Sequence, residues 1–281
     1  MSAPARVVLL AIGNELLNGE VRDSNLFVLA RSLTRQGFKV EQAAMVRDDP
    51  QAIAALLVTL LESHPEVIII SGGLGPTADD CTLAAVADTL EQPLVEMPAA
   101  REMVNLAYSR LLAAGYVPQR GPEEAQRKMA RLPLGAKPLL NPVGVAPGVW
   151  LETGATTLVC LPGVPEEMEA LLEGTVMLQL TARFGQRYWV EHAIIVHCED
   201  EATLTKPLRE IAAGYPDIYI KSLAQSFPKS GAPDTTSAEL RIIIAMHAAD
   251  ESQAQQRLKE VRDALQLALN RASVPVLRIE S

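Results

Sequence analysis

The first half of the chain alternates short, continuous apolar runs with amphipathic segments, and this pattern constrains the fold more than any other feature. The apolar runs lack the polar alternation of a half-exposed strand, so each strand is predicted to be buried on both faces. Such strands are typical of a mostly parallel sheet with helices on both faces. We therefore predict an α/β fold whose central sheet contains residues 7–12, 38–46, 67–70 and 157–161.

Helices are predicted between and after these strands. Residues 24–36, 50–62 and 165–180 carry helical periodicity, and a further helix is expected to begin near Asp79. The segment 98–132 predicts two more helices. The stretch after it is rich in glycine and proline and predicts a hairpin that precedes the last strand of the sheet.

A second domain is predicted from residue 186 onward. Its strands and helices follow the order βαββαβ, over residues 188–197, 201–213, 217–225, 238–247, 251–271 and 275–279. This order is typical of a small ferredoxin-like α+β domain. Residues 226–237 are polar and rich in turn residues, which indicates a loop between the middle strands. We accordingly assign residues 1–183 and 186–281 to two domains.

Charge and composition exclude several classes of function. The 281 residues carry a formal net charge of −9 and only 4% aromatic residues, which argues against binding to nucleic acid or to an anionic membrane. The longest apolar stretch, residues 52–61, is about half of the ~20 residues needed to cross a bilayer. Cys81, Cys160 and Cys198 are scattered without CxxC spacing, as expected for reduced thiols. We predict a soluble, cytoplasmic protein.

The stretch SGGLGPTADD follows an apolar strand and precedes a helix. Gly72, Gly73 and Gly75 would let the backbone adopt positive φ and approach a ligand closely. In an open α/β sheet, ligands bind at the carboxyl ends of strands, and the helix start after such a turn favours phosphate. Asp79 or Asp80 would hold Mg²⁺ against that phosphate. The alternative, left open here, is a tight turn whose aspartate only caps the helix.

Two further glycine turns follow predicted strands. Gly13, Asn14 and Glu15 come after the first strand, and Pro162 and Gly163 come after the last strand of the sheet. Because the carboxyl ends of parallel strands meet at one edge of a sheet, all three turns are expected to share that edge. The sequence therefore predicts one pocket lined by three glycine turns.

Four motifs in this order, GNELLNGEVRDSN, SGGLGPTADD, NPVGVAPG and LPGVPEEM, resemble those of a known family. They are similar to the N-terminal pyrophosphatase domain of the competence/damage-inducible protein A (CinA) family, within the wider MoaB/Mog group of molybdopterin-binding folds. The predicted second domain resembles the small KH-like domain that follows in CinA proteins. The C-terminal amidase domain of that family, which deamidates nicotinamide mononucleotide, is expected to be absent.

The resemblance implies a Mg²⁺-dependent cleavage of a nucleoside diphosphate linkage, with ADP-ribose as the typical substrate and K⁺ or another divalent ion as a further cofactor. It implies a nucleotide or a pterin such as molybdopterin as the ligand, and a homodimer as the assembly. Asp80, with its neighbour Asp79, matches the metal-binding acid of the family. The residues that match its ligand-binding turns are Gly13, Asn14, Glu15, Ser71, Gly72, Gly73, Gly75, Thr77, Asn141, Gly144, Pro162 and Gly163.

Two further roles are assigned to charged residues. Lys128 would neutralise phosphate charge, and Glu15 would orient the attacking water, with a structural hydrogen bond as its alternative role. The sequence departs from the family at Val145, where a hydroxyl residue is common, and at Met129, where an amide residue is common.

The departures favour a second hypothesis, in which the chain binds a pterin or nucleotide without hydrolysing it. A third hypothesis, RNA binding by the second domain, is disfavoured because that domain contains no GxxG loop.

Overall fold

The computed structural model describes residues 3–223 and 239–280. The predicted loop 226–237 lies outside the described residues, as do the predicted strand ends at residues 224–225 and 238.

These residues form two compact units, each with its own hydrophobic core. The first unit contains residues 3–34 and 38–185. The second contains residues 35–37 together with the described part of the chain from Gln186 onward.

The first unit contains the strands and helices of the predicted α/β domain. Its strands are β1 (Arg6–Ile12), β2 (Lys39–Val46), β3 (Val67–Ser71), β4 (Leu94–Glu96), β5 (Arg131–Pro133), β6 (Lys137–Leu139), β7 (Gly148–Thr153) and β8 (Thr156–Leu161). Its helices are α1 (Asn14–Leu17), α2 (Asn25–Arg35), α3 (Pro50–Glu62), α4 (Thr82–Thr89), α5 (Pro98–Ala113), α6 (Glu123–Met129), α7 (Pro165–Leu171) and α8 (Met177–Phe184).

Within the described residues, the central sheet has six strands in the order β2-β1-β3-β8-β7-β6. The first four are the predicted strands, and each runs parallel to its neighbour. β7 and β6 extend the sheet in antiparallel pairing and form the predicted hairpin before β8, and β7 also pairs antiparallel with β8. The predicted α/β fold with a mostly parallel sheet is confirmed. The short β4–β5 ladder was not predicted.

β1, β3 and β8 are buried along almost their whole length because both faces of the sheet are covered there. The prediction of burial on both faces is wrong for β2, which lies at the edge of the sheet and is largely exposed. Alternate residues of a strand point to opposite faces. Ile68 and Ile70 of β3 belong to a core with α3, α4 and α5. Val67 and Ile69 belong to a second core with α2, α7 and α8. The first unit is therefore a three-layer arrangement of helices, sheet and helices.

Two helices differ from the prediction. α4 begins at Thr82 rather than near Asp79, and no side chain caps it. The predicted single helix 165–180 consists of α7, a π-helical segment (Leu172–Val176) and α8. Gly174 lies in the π-helical segment, and glycine disfavours regular α-helix.

The second unit has the predicted order of strands and helices. It contains β9 (Tyr188–His197), a 3₁₀ turn (Glu201–Leu204), α9 (Thr205–Gly214), β10 (Tyr219–Leu223), β11 (Glu239–Ala248), α10 (Glu251–Arg271) and β12 (Val276–Glu280). Its sheet has the order β10-β11-β9-β12, and every neighbouring pair is antiparallel. This is the strand order of a ferredoxin-like α+β domain, so the predicted βαββαβ architecture is confirmed. Among the described helices, none combines the length and apolar character that a membrane span requires.

Candidate functional site

The carboxyl ends of β1, β3 and β8 open into one cleft of about 690 Å³. Its walls come from the turn after β1, the loop between β3 and α4, the turn after β8, and the loop before β7. Ten predicted site residues line it: Gly13, Glu15, Gly72, Gly73, Gly75, Asp79, Asp80, Gly144, Pro162 and Gly163. Five further predicted site residues do not line this cleft: Ser71, Thr77, Asn14, Asn141 and Lys128.

The glycine loop, residues 72–81, leaves β3 in a conformation that only glycine adopts readily. Gly72 and Gly73 have φ of +112° and +68°. The Gly72 N–H donates to the Leu161 carbonyl at 3.0 Å, and the Thr82 hydroxyl donates to the Gly72 carbonyl at 2.8 Å. The predicted positive φ is confirmed at these two positions. It is wrong for Gly75, which does not have a positive φ.

Thr77 joins the two aspartates of the loop. Its Oγ1 lies 2.5 Å from Asp79 Oδ1 and 2.6 Å from Asp80 Oδ2, and its backbone N–H donates to Asp80 Oδ2 at 2.8 Å. The hydrogen bond from Thr77 lowers the pKa of Asp79, assisted by the charge of Lys128. The aspartates therefore organise their own loop rather than capping α4, because the capping position belongs to Cys81.

Lys128 of α6 stabilises the same loop by hydrogen bonds to its backbone. Its Nζ donates to the carbonyls of Gly75, Thr77 and Asp80 at 2.9, 2.7 and 2.7 Å. An ammonium group has three N–H bonds, so these three carbonyls use all of them. Burial lowers the pKa of Lys128, while the charges of Asp80 and Asp79 act in the opposite direction. Direct neutralisation of a phosphate by Lys128 stays a prediction that the structure does not favour.

At three glycines of the cleft, the carboxylate of another residue occupies the space that a side chain on the glycine would take. A Cβ on Gly13 would meet the Glu15 carboxylate, and a Cβ on Gly144 would meet that of Glu167. A Cβ on Gly75 would lie 2.6 Å from Asp80 Oδ2. None of these three glycines has the positive φ that favours glycine, so their small volume is what the site uses.

The turns after β3 and β8 are fixed by buried polar groups. Asn25 Nδ2 donates to Ser71 Oγ at 2.9 Å and to the Gly163 carbonyl at 2.8 Å. The Ser71 hydroxyl in turn donates to the Pro162 carbonyl at 3.1 Å. Ser71 is buried, so its hydroxyl braces the two turns and does not reach the cleft.

Asp48 is a cleft residue that the sequence analysis missed. It follows β2, lines the cleft, and accepts a hydrogen bond from the Asn14 backbone N–H at 2.6 Å. It also lies close enough to Cys81 to raise the pKa of that thiol, although burial contributes more. Its position after a parallel strand was the available signal, but Asp49 beside it is the N-cap of α3 and made the pair resemble a helix start.

Glu167 is the second cleft residue that was missed. Its Oε2 accepts from Asn141 Nδ2 at 2.6 Å, and burial raises its pKa. Carboxylates in the first turn of a helix favour the helix dipole, and this common role concealed it in the sequence. Arg110 of α5 fixes the neighbouring loop by donating to the Val143 and Gly144 carbonyls, each at 2.9 Å.

Both departures from the resembled family face the cleft. Val145 and Met129 line it together with Tyr108 and Leu111. These four side chains form an apolar wall of the cleft. A second cleft of about 510 Å³ lies on the other side of the glycine loop, where Lys128 and Arg131 contribute to its lining.

Asp79 and Asp80 are the residues of the glycine loop that would hold a magnesium ion, if it is shared with a ligand. In the described part of the chain, no group of three or more His, Cys, Asp or Glu side chains could hold a metal ion. Mg²⁺ commonly keeps several waters and binds one or two carboxylates plus substrate phosphates. Asp79 and Asp80 supply two such carboxylates beside the Thr77 hydroxyl. This hydroxyl is in short contact with both carboxylates but has only one proton to donate.

Comparisons with known proteins agree with this architecture. A family model described as "Probable molybdopterin binding domain" matches residues 8–182, more than half of the chain. A protein of Thermococcus kodakarensis is 39% identical over 221 residues, which cover 79% of this chain and 86% of that protein. A protein of Metallosphaera sedula is 32% identical over 274 residues, which cover 97% of each chain.

A solved structure is also similar. The crystal structure of the protein CinA from Thermoplasma acidophilum, a protein of unknown function, has a TM-score of 0.56 and 33% sequence identity. The match covers 62% of this chain and 98% of that one. The expected structural likeness to CinA is confirmed. The KH-like character of the second unit, the lack of an amidase domain, the cytoplasmic location and the homodimer stay predictions.

Proposed function

The chain belongs to the family of probable molybdopterin binding domains, and from this premise we propose that it is a Mg²⁺-dependent hydrolase of a nucleoside diphosphate linkage. ADP-ribose is the representative substrate. The observation that carries the proposal is the meeting of three oxygens at the glycine loop, inside a cleft large enough for such a ligand.

The proton count at this point favours a cation. Thr77 Oγ1 lies 2.5 and 2.6 Å from two carboxylate oxygens, but a hydroxyl has only one proton to donate. The other close contact therefore places a lone pair of the hydroxyl oxygen against a carboxylate, beside the negative charge of the second carboxylate. A divalent ion at Asp79 and Asp80 would offset this charge, and when bound it would polarise the phosphoryl oxygens of a ligand.

The residues of the chain would then bind and orient the ligand. Gly72 and Gly73 line the cleft, and because they carry no side chain Ile12 and Thr82 can pack closely against the loop and hold it in place. Lys128 keeps the loop in place through the three carbonyls that it contacts. Glu15 lines the cleft beside Gly13 and is the proposed group that orients the attacking water.

A direct test is incubation of the purified protein with a panel of dinucleotides, including ADP-ribose, with Mg²⁺ or with a chelator. We expect cleavage of at least one member into two monophosphates, and only when Mg²⁺ is present. Potassium is added as a separate arm, because its assistance is part of the proposal. Absence of cleavage for the whole panel in every arm contradicts the hydrolase.

The second candidate is a module that binds a pterin or nucleotide without turnover. The apolar wall formed by Val145, Met129, Tyr108 and Leu111 supports it, since such a wall suits a ring system irrespective of any reaction. Tight binding of a ring-containing ligand, together with no cleavage in the panel above, is the result expected for this module.

A further inference from the structure

Glu167 is a half-buried carboxyl group of the cleft for which the proposed reaction has no role. It lies in the first turn of α7 and lines the cleft. Its carboxylate occupies the space that a Cβ would take on Gly144, so the loop before β7 leaves room for it. The loop and the helix thus hold this carboxylate at the cleft surface.

The hydrogen bond from Asn141 determines which carboxylate oxygen of Glu167 remains available to a ligand. Asn141 Oδ1 accepts from the backbone N–H groups of Val143 and Gly144 at 3.0 and 2.8 Å, and Nδ2 donates to the Ala146 carbonyl at 2.9 Å. These backbone groups fix the orientation of the amide, so its remaining N–H donates to Glu167 Oε2 at 2.6 Å. Oε1 has no hydrogen-bond partner within residues 3–223 and 239–280.

The charges around Glu167 leave it an acceptor that lacks a neutralising partner. Glu166 on the same helix raises its pKa, as burial does more strongly, whereas Asn141 and the Arg110 guanidinium of α5 lower it. Arg110 donates to the carbonyls of Val143 and Gly144 rather than to Glu167. A carboxylate in this setting repels phosphate oxygens and accepts hydrogen bonds from O–H and N–H groups.

We propose that Glu167 determines ligand specificity by accepting a hydrogen bond, through Oε1, from a hydroxyl or ring N–H of a ligand whose phosphates lie at the glycine loop. The ligand class is therefore one that joins phosphate groups to a sugar or a heterocycle with hydrogen-bond donors. The inference rests on the proposed function for the position of the phosphates.

The substitution Glu167→Gln reverses the polarity of this contact without changing its shape. The Asn141 N–H holds the amide oxygen of the new side chain at the former Oε2 position. The NH₂ group then replaces Oε1 and faces the donor of the ligand. We expect the affinity for a donor-bearing ligand to fall by about 10- to 100-fold, the range for losing a hydrogen bond to a charged group.

The experiment compares two probes by calorimetry in the presence of Mg²⁺. One probe is the α,β-methylene analogue of ADP-ribose, which resists cleavage and carries sugar and base donors. The other is inorganic pyrophosphate, which has phosphate groups alone. We expect Glu167→Gln to weaken the analogue and to leave pyrophosphate within about twofold, while the matched control Glu166→Gln, an exposed neighbour outside the cleft, changes neither.

Two further readouts separate recognition from a structural role. In the wild type, affinity for the analogue should fall as pH drops through the raised pKa of Glu167, and this step should be missing in Glu167→Gln. Gly144→Ala, which keeps the carboxylate but displaces it, should also weaken the analogue selectively.

Equal losses for both probes, or unchanged affinity for both, overturn the inference. If Glu167→Gln also cleaves ADP-ribose with wild-type kcat/KM, the inference fails while the proposed function stands. If the wild type binds neither probe and cleaves no dinucleotide, the proposed function fails and the inference fails with it.

Discussion

The two walls of the cleft pair a glycine with a carboxylate in the same way, but different neighbours surround the two carboxylates. At the glycine loop, Asp80 lies against Gly75 and is joined to Asp79 through Thr77, whose hydrogen bond lowers the pKa of Asp79. At the other wall, Glu167 lies against Gly144, and burial raises its pKa.

The difference shows that a carboxylate packed against a glycine can take two different roles. Hydrogen bonds to the charged form favour a carboxylate that keeps its charge and can hold a cation. Removal of water disfavours the charge and leaves a group that recognises neutral donors. The glycine determines where the carboxylate lies, and access to water determines what it can do there.

The largest effect is expected when the charge is removed from the glycine-loop wall. Asp80→Asn keeps an oxygen that can accept the Thr77 N–H, so folding should change little. It removes the charge proposed to hold Mg²⁺, so kcat/KM for ADP-ribose cleavage should fall by about 10²–10⁴-fold. Asp88→Asn, at an exposed position of α4 outside the cleft, is the control. Equal turnover by wild type and Asp80→Asn would remove this residue from the mechanism.

Substitutions that displace a carboxylate without removing its charge test whether each glycine positions only the carboxylate that lies against it. Gly75→Ala introduces a Cβ 2.6 Å from Asp80 Oδ2, so the carboxylate must shift. Because outer-shell support of a metal site is commonly worth 10- to 100-fold, Mg²⁺ affinity should fall by about that factor. Gly144→Ala should leave Mg²⁺ affinity unchanged. Titration of Mg²⁺ checks both, with Gly214→Ala, where a Cβ meets nothing, as the control.

A loss of Mg²⁺ affinity in Gly144→Ala as large as that in Gly75→Ala would contradict the separation of the two walls.

The hydrogen bonds of Lys128 are all to the glycine loop, so its removal should affect the glycine-loop wall and not the wall that contains Glu167. Lys128→Met breaks three hydrogen bonds to backbone carbonyls, and the free energy of unfolding should fall by about 2 kcal/mol. Chemical denaturation measures this value, and Lys137→Met, at an exposed position of β6, is the control. A direct phosphate contact would instead give unchanged stability together with weaker pyrophosphate binding.

The smallest effect concerns the pH dependence of stability at the other wall. The pKa of Glu167 is raised above 4.5 in the folded state, so its contribution to stability is present below that value and is lost as pH rises through the folded pKa. Glu167→Gln lacks this loss and should gain on the wild type over that window. The gain should stay below ~1 kcal/mol because water still reaches the carboxyl group. Urea unfolding from acid to neutral pH checks it, and a gain at acid pH instead contradicts it.

The sheet and its glycine turns could be predicted from the sequence because they depend on local patterns. Continuous apolar runs such as Ile68–Ile70 identify buried parallel strands, and strand ends in such a sheet must meet at one edge. Gly72 and Gly73 could be assigned a positive φ from their place in a tight turn.

The remaining parts of the site depend on contacts between distant segments. Lys128 lies 48 residues beyond Asp80 in the chain, and only the fold places its Nζ on the loop carbonyls. Gly75 and Gly144 owe their identity to the volume of a carboxylate from elsewhere, for which a sequence pattern gives no signal. Glu167 resembled an ordinary first-turn residue of a helix, because its burial arises from the loop before β7.

The position of Cys81 gives the glycine loop a chemical reporter. The residue joins the loop to α4, is 9% exposed, and has a thiol pKa raised by burial. Cys160 lies inside the sheet, where burial raises its pKa to about 12, and it is sealed from reagents in the native protein. Because little of Cys81 is exposed, we expect its alkylation to depend on movement of the loop, so its labelling rate reports on that movement. Ligands that close the loop should slow the labelling, and this makes occupancy visible without any knowledge of the reaction.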